Sequence, residues 1–246
     1  MDNDSTMASS RQRLQRALTL SLAFVAVLGG LHLAQPWFAD VQPALALRPR
    51  ELAGLLGVLT APLLHGSLGH WLSNAVPLLV LGTLAGLVYP KATPRALPLI
   101  WLGAGLGTWL IGRDSGHIGA SGLTHGLGFY LFLLGLLRRD RPALATAMIA
   151  FFLYGGMLLT VLPREAHISW EYHLSGAIAG AIAALLWRRL DPAPPRPAYS
   201  WEIEPENPAQ ADADALEPPR PAEVPVLWQR APEARGVLLP FRRREP

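Results

Sequence analysis

The sequence predicts an all-α membrane protein, a six-transmembrane-helix bundle followed by a disordered C-terminal tail. Three observations carry this reading. Of 246 residues 51% are hydrophobic, and mean hydropathy is +0.27 even with a polar tail included, which is high for a soluble domain. Runs free of Asp, Glu, Lys and Arg lie near 17–34, 69–90, 96–112, 119–137, 142–163 and 172–187. Crossing about 30 Å of hydrocarbon takes about 20 helical residues, and in lipid every backbone polar group is paired inside its own segment, so runs of this length are helices. Third, the basic residues between the runs are unevenly shared, as set out below.

Residues 1–16 form an N-terminal segment carrying Arg11, Arg13 and Arg16 ahead of the first run. That run is long for a secretory signal, and further spans follow it. Residues 35–64 hold Pro36, Pro43, Pro49 and Pro62 among Trp37, Phe38, Leu45 and Leu47, a composition that lies in the membrane interface. With the N-terminus cytoplasmic, the inner side holds ten basic residues (Arg11, Arg13, Arg16, Lys91, Arg95, Arg138, Arg139, Arg141, Arg188 and Arg189). The outer side holds four, Arg48, Arg50, Arg113 and Arg164. This obeys the positive-inside rule, and six spans return the C-terminus to the cytoplasm. Residues 17–190 therefore make the membrane domain. From 191 to 246 come 13 of the 23 prolines, mixed with acids and without apolar periodicity, so this is a disordered cytoplasmic tail. Its apolar patches around Trp201 and from Val224 to Trp228 read as linker.

Several chemistries are excluded by inspection. There is no cysteine, hence no disulfide, thiolate metal site or cysteine nucleophile. The arginines sit in short clusters between apolar runs, which argues against nucleic acid. No ligand cluster or phosphate-cradling loop implies a metal, nucleotide or organic cofactor. The partner implied everywhere is the lipid bilayer.

Polar groups inside membrane helices are costly, so each is a functional candidate. The first concentration is His65-Gly-Ser-Leu-Gly-His70-Trp-Leu-Ser-Asn74, where His70 and Asn74 are four apart on one helix face. Two donors stacked there can hold an oxyanion, or can join helices by hydrogen bonds. The second is Gly119-Ala-Ser121-Gly122-Leu-Thr-His125-Gly126, after a loop with Gly112, Arg113, Asp114 and Gly116. A serine at a helix start sits beside the positive end of the helix dipole, favourable for an alkoxide. The third is Glu171-Tyr-His173-Leu-Ser-Gly176-Ala-Ile-Ala-Gly180, which places one imidazole above a glycine face, so that this helix packs closely on the one carrying Ser121. That proximity predicts an activating hydrogen bond from Ser121 to His173. Glu171 falls on another face, so the expected site is a dyad. An aspartyl pair is disfavoured because Asp114 and Asp140 fall in loops on opposite sides, and no His-Glu-x-x-His is present.

These three segments, in this order, resemble the rhomboid family of intramembrane serine proteases over residues 50–190. The match rests on His65, His70 and Asn74, then Gly119-x-Ser121-Gly122, then Ser169-Trp170-x-x-His173-x-x-Gly176. The resemblance implies Ser121 as nucleophile and His173 as general base and acid. It implies His70, Asn74 and the Ser121 backbone N–H as oxyanion donors, with His65 bracing the long loop. It implies hydrolysis of a peptide bond in or near the transmembrane segment of another membrane protein, in what reads as a bacterial inner membrane. Gly119, Gly122, His125, Gly176 and Gly180 would be structural neighbours of the site. Two departures stand out. The Trp-Arg pair many relatives carry in the long loop is Leu56-Gly57 here, and the tyrosine often found four residues after the serine, stacked on the catalytic histidine, is His125. His125 is expected to pack rather than to take the serine proton, and His32, His117 and His167 read as background. Two other functions fit the composition. One is a catalytically inactive relative that binds membrane proteins, although such relatives usually lack the serine or the histidine. The other is a small transporter or scaffold with buried histidines.

Overall fold

The computed structural model describes residues 2–163, 165, 168–191 and 193. Arg164, His167 and the tail patches around Trp201 and from Val224 to Trp228 lie outside the described residues. Six long helices fall on the six apolar runs: α1 (Asp2–Ala34), α2 (Leu68–Val88), α3 (Thr93–Ile111), α4 (Ser121–Arg138), α5 (Arg141–Tyr154) and α6 (Trp170–Trp187). Among the described residues there is no β-strand, only an isolated antiparallel bridge between Leu47 and His117.

The fifth run is where the backbone departs most from the expected span. Helix α5 stops at Tyr154, Gly155 and Gly156 follow, and a separate turn, Met157–Thr160, completes the segment. Glycine in a helix interior costs about 1 kcal/mol relative to alanine, so a glycine pair is a natural place for the break. Absence of charge could not reveal it.

Helix ends follow their local chemistry. Ser67 caps α2, its Oγ accepting from the His70 N–H at 3.0 Å, and Asp140 caps α5 by accepting from the Ala143 N–H at 3.0 Å. The Asp191 carboxylate accepts from the N–H groups of Lys91 and Ala92 at 3.0 and 2.8 Å, tying the end of α6 to the start of α3.

By length and composition, two helices, Ala8–Phe38 and Leu68–Val88, are apolar enough to cross a membrane. The others are diluted by small and polar residues that they turn inward. Helix α4 buries Gly122, Thr124, His125, Gly126 and Gly135. That dilution is what lets helices approach. A Cβ at Gly176 would lie 2.0 Å from the Gly122 carbonyl oxygen, and one at Gly180 would lie 2.0 Å from the Gly126 oxygen. Helices α4 and α6 therefore touch backbone to backbone. Leu81, Ile100, Leu127, Tyr130, Leu131 and Leu134, all fully buried, fill the core around this seam.

The long connection between α1 and α2 is a string of short turns pinned to the bundle. Leu47 and His117 exchange N–H···O bonds of 3.0 and 2.9 Å, the Arg50 N–H donates to the Trp109 carbonyl at 3.0 Å, and Trp109 Nε1 donates to the Glu51 carbonyl at 2.8 Å. Trp37 and Leu52 remain 85% and 82% exposed, apolar groups that suit a segment lying on lipid. The Leu56-Gly57 departure now has a physical reason: a Cβ at Gly57 would fall 2.2 Å from Leu47 Cα. No arginine fits there, and the loop is held by backbone contact instead.

Candidate active site

Ser121 is the first residue of α4, so its N–H has no intrahelical acceptor. It is half-buried, and it lines an open cavity of about 870 Å³ together with His70, Asn74, His125, Thr160 and His173. The three polar segments, far apart in sequence, thus share one cavity. Arg113, Gly116, His117 and Ser169 line it as well.

Immediately before the serine, Gly119 has φ +109°, a backbone conformation that side-chain-bearing residues rarely adopt. A Cβ there would also collide with His70, 2.6 Å from Nε2, and come 3.7 Å from Asn74 Nδ2. The glycine is what lets these two donors flank the start of α4. Their orientation is set locally. His70 Nδ1 accepts from the Gly66 N–H at 3.4 Å, which puts the ring proton on Nε2, and Asn74 Nδ2 donates one of its two protons to the His70 carbonyl at 2.9 Å. The other Nδ2 proton stays available.

His173 enters from α6, 8% exposed. Its Nδ1 lies 3.0 Å from the Thr160 carbonyl oxygen, which only accepts, so Nδ1 carries the proton and Nε2 the lone pair. No carboxylate among the described residues bonds this ring. Glu171, fully buried, turns instead to Arg113, whose Nε lies 2.6 Å from Oε1. The expected hydrogen bond between Ser121 and His173 is not formed among the described residues; both groups line the cavity without it. Catalytic hydrogen bonds are often long in unliganded sites and tighten when substrate arrives.

His125 lies against His173. Its ring stacks on His173 with centroids 3.8 Å apart and planes 11° from parallel. Its Nδ1 donates to the Ser121 carbonyl at 2.7 Å, so its Nε2 is an acceptor 2.8 Å from Thr160 Oγ1, a hydroxyl whose one proton is shared with the Met157 carbonyl at 2.9 Å. Both nitrogens are engaged away from the Ser121 hydroxyl. His65 braces the long connection through its backbone: its N–H donates to Gln35 Oε1 at 2.9 Å, and its carbonyl accepts from His32 Nδ1 at 3.1 Å.

Sequence reading missed two contributors. Thr160 holds both imidazoles, one by its carbonyl and one by its hydroxyl, and nothing in a single threonine on an apolar run signals that. His117, read as background, is 3% exposed and hydrogen-bonds Ser169 at the start of α6 through Nδ1, linking the loop before the serine to the helix carrying His173. Its placement two residues from Gly119 was the available signal.

Taken together, the described residues form a helical bundle around a polar cavity, with two helices long and apolar enough to cross a membrane, the frame of an integral membrane protein. The chain belongs to the rhomboid family: the Rhomboid domain matches residues 53–190. It is 38% identical over 191 residues to an uncharacterised protein of Mycobacterium tuberculosis, covering 74% of this chain and 80% of that one, and equally so to one of Mycobacterium bovis. An uncharacterised Mycobacterium leprae protein is 39% identical over 141 residues, covering 54% of this chain and 56% of that one.

Proposed function

We propose that this rhomboid-family protein is a serine-type intramembrane endopeptidase acting through a Ser121–His173 dyad. The observation that carries the reading is the Thr160 carbonyl on His173 Nδ1 at 3.0 Å, which leaves Nε2 unprotonated in the cavity that Ser121 also lines. Ser121 Oγ attacks the scissile carbonyl carbon while its proton passes to His173 Nε2. The oxyanion that forms is held by the His70 Nε2–H, an Asn74 Nδ2–H and the Ser121 backbone N–H. Collapse breaks the C–N bond, and His173 returns the proton to the leaving amine. Water then attacks the acyl-enzyme by the same proton path in reverse and frees Ser121.

The substrate is the transmembrane segment of another protein, locally unwound because a continuous helix hides its carbonyls in its own hydrogen bonds. The distribution of basic residues supports cytoplasmic termini in a bacterial inner membrane, with residues 191–246 as a cytoplasmic tail. Reconstituted wild type is expected to cleave a transmembrane reporter and to label with a fluorophosphonate, and Ser121→Ala to do neither. Folded wild type that neither labels nor cleaves would sink the reading in favour of an inactive membrane-protein binder.

A further inference from the structure

On the side of α4 away from the serine, a second cavity of about 800 Å³ opens between α1, α2 and α3. Its walls are apolar, with Phe24, Leu97, Trp101 and Leu127 among them, and Leu59 of the long connection borders it. It differs from an ordinary lipid-facing furrow in carrying Arg13 and Arg16 of α1 beside Thr93 and Pro94, the first residues of α3. Two arginines and the positive end of a helix dipole thus line the same groove as the apolar walls, and the Arg13 guanidinium also donates to Ser10 Oγ at 3.3 Å. Among the described residues no carboxylate pairs with either arginine.

We infer that this groove seats one anionic glycerophospholipid, its acyl chains between α1 and α3 and its phosphate between Arg13 and Arg16. The lining selects this occupant, apolar walls joined to two arginines. A water molecule takes about 30 Å³ of liquid volume and finds almost no polar partners along such walls. A lipid chain is thin enough, and the charge at one end matches an anionic headgroup in the leaflet where α1 and α3 begin. The inference stands apart from the proposed peptidase activity, since none of its residues belongs to the Ser121 cavity.

The test uses the full chain, stripped of lipid in detergent and offered dioleoylphosphatidylglycerol and dioleoylphosphatidylcholine in equal amounts, with retained lipid counted by native mass spectrometry. Each arginine near an anionic surface favours binding severalfold, so wild type should retain one phosphatidylglycerol with about thirtyfold preference. Arg13→Gln with Arg16→Gln should abolish the preference, and Arg13→Lys with Arg16→Lys should keep most of it. Arg188→Gln with Arg189→Gln, at the same end of the bundle, should leave it unchanged. The inference is overturned if wild type shows no preference, if the preference survives the glutamine pair, or if the Arg188 and Arg189 pair removes it equally. Displacement of the lipid by inorganic phosphate at equal concentration would also overturn it, because the groove would then be a free-anion site.

Discussion

His125 and His173 lie face to face, ring centroids 3.8 Å apart and planes nearly parallel. One ring comes from α4, four residues after Ser121, and the other from α6. The stack therefore fixes the plane of His173 from the side, while the Thr160 carbonyl fixes its tautomer from the end. The histidine stacks at the position where the family resemblance leads one to expect a tyrosine, and its own nitrogens lie against Ser121 O and Thr160 Oγ1.

A stacked aromatic pair contributes about 0.5–1.5 kcal/mol beyond its buried area, and 1.36 kcal/mol corresponds to about tenfold in rate. His125→Ala should therefore lower kcat for reporter cleavage by about tenfold, and His125→Tyr, which restores a flat ring, should stay within about threefold of wild type. His173→Ala should reduce cleavage to background. Equal and total loss in the two alanine variants would end the preference for His173 as base.

Thr160 offers a finer separation, because its two contacts come from different atoms. Thr160→Val keeps the carbonyl that holds His173 and deletes the hydroxyl that serves His125. An unpaired buried acceptor costs about 1–3 kcal/mol, so the melting temperature should fall by several degrees while the pH profile of cleavage stays in place. A shifted profile at unchanged melting temperature would mean that the hydroxyl acts on the base itself.

Much of this arrangement was legible in the sequence. The six apolar runs gave the helices because charge is excluded from hydrocarbon whatever the fold. Gly122, Gly126, Gly176 and Gly180 gave the α4–α6 seam because a backbone contact demands the absence of side chains on both partners. What stayed hidden depends on main-chain atoms. The Thr160 carbonyl on His173 and the Leu47–His117 bridge are made by groups every residue carries, so no side-chain pattern announces them. The break after Tyr154, by contrast, had its signal in the Gly155-Gly156 pair, which a search for uncharged runs passes over. His117 was underrated for a related reason, its partner Ser169 lying 52 residues away.

The glycine seam can be tested against a control glycine in the same protein. Gly176→Ala would put a methyl 2.0 Å from the Gly122 oxygen, forcing α6 away from α4 and Ser121 away from His173. Overpacking of this kind costs about 1–3 kcal/mol, and cleavage should be lost together with stability. Gly30→Ala meets nothing within 4 Å and should be neutral or slightly stabilising. Full activity in Gly176→Ala would mean that the helices are free to separate without consequence.

Arg113 and Glu171 join the loop before the serine to α6. Glu171 is wholly buried, its Oε1 2.6 Å from Arg113 Nε, and Arg113 also donates to the Ile168 carbonyl at 2.6 Å. Removing the partner of a buried carboxylate strands its charge, and with the Arg113 side chain 42% exposed the cost falls below the ~3–5 kcal/mol of a fully buried pair. Arg113→Gln should thus be far more damaging than Arg50→Gln, whose exposed partner Asp114 is 88% accessible and offers little. Thermal unfolding in detergent checks the ordering, and comparable melting temperatures for the two variants would refute it.

Acid should loosen the connection that precedes α2. Burial, helped by the nearby His70 and His32, pushes the His65 imidazole down to about 4, and burial also lowers that of His117. Both folded values lie below the ordinary value of about 6.5, so the unfolded chain binds more protons across the interval between them. Stability is therefore fully present above about pH 7 and is lost as pH falls below about 6.5, with the His65 contribution levelling off near pH 4. Melting temperatures measured between about pH 5 and pH 7, above the main titration of the carboxylates, should show this decline in wild type. His65→Asn, which removes the titrating group and retains a small polar side chain, should flatten it. Parallel curves for the two proteins would show that His65 keeps its proton equilibrium on folding, and the buried, doubly unpartnered ring would then need another explanation.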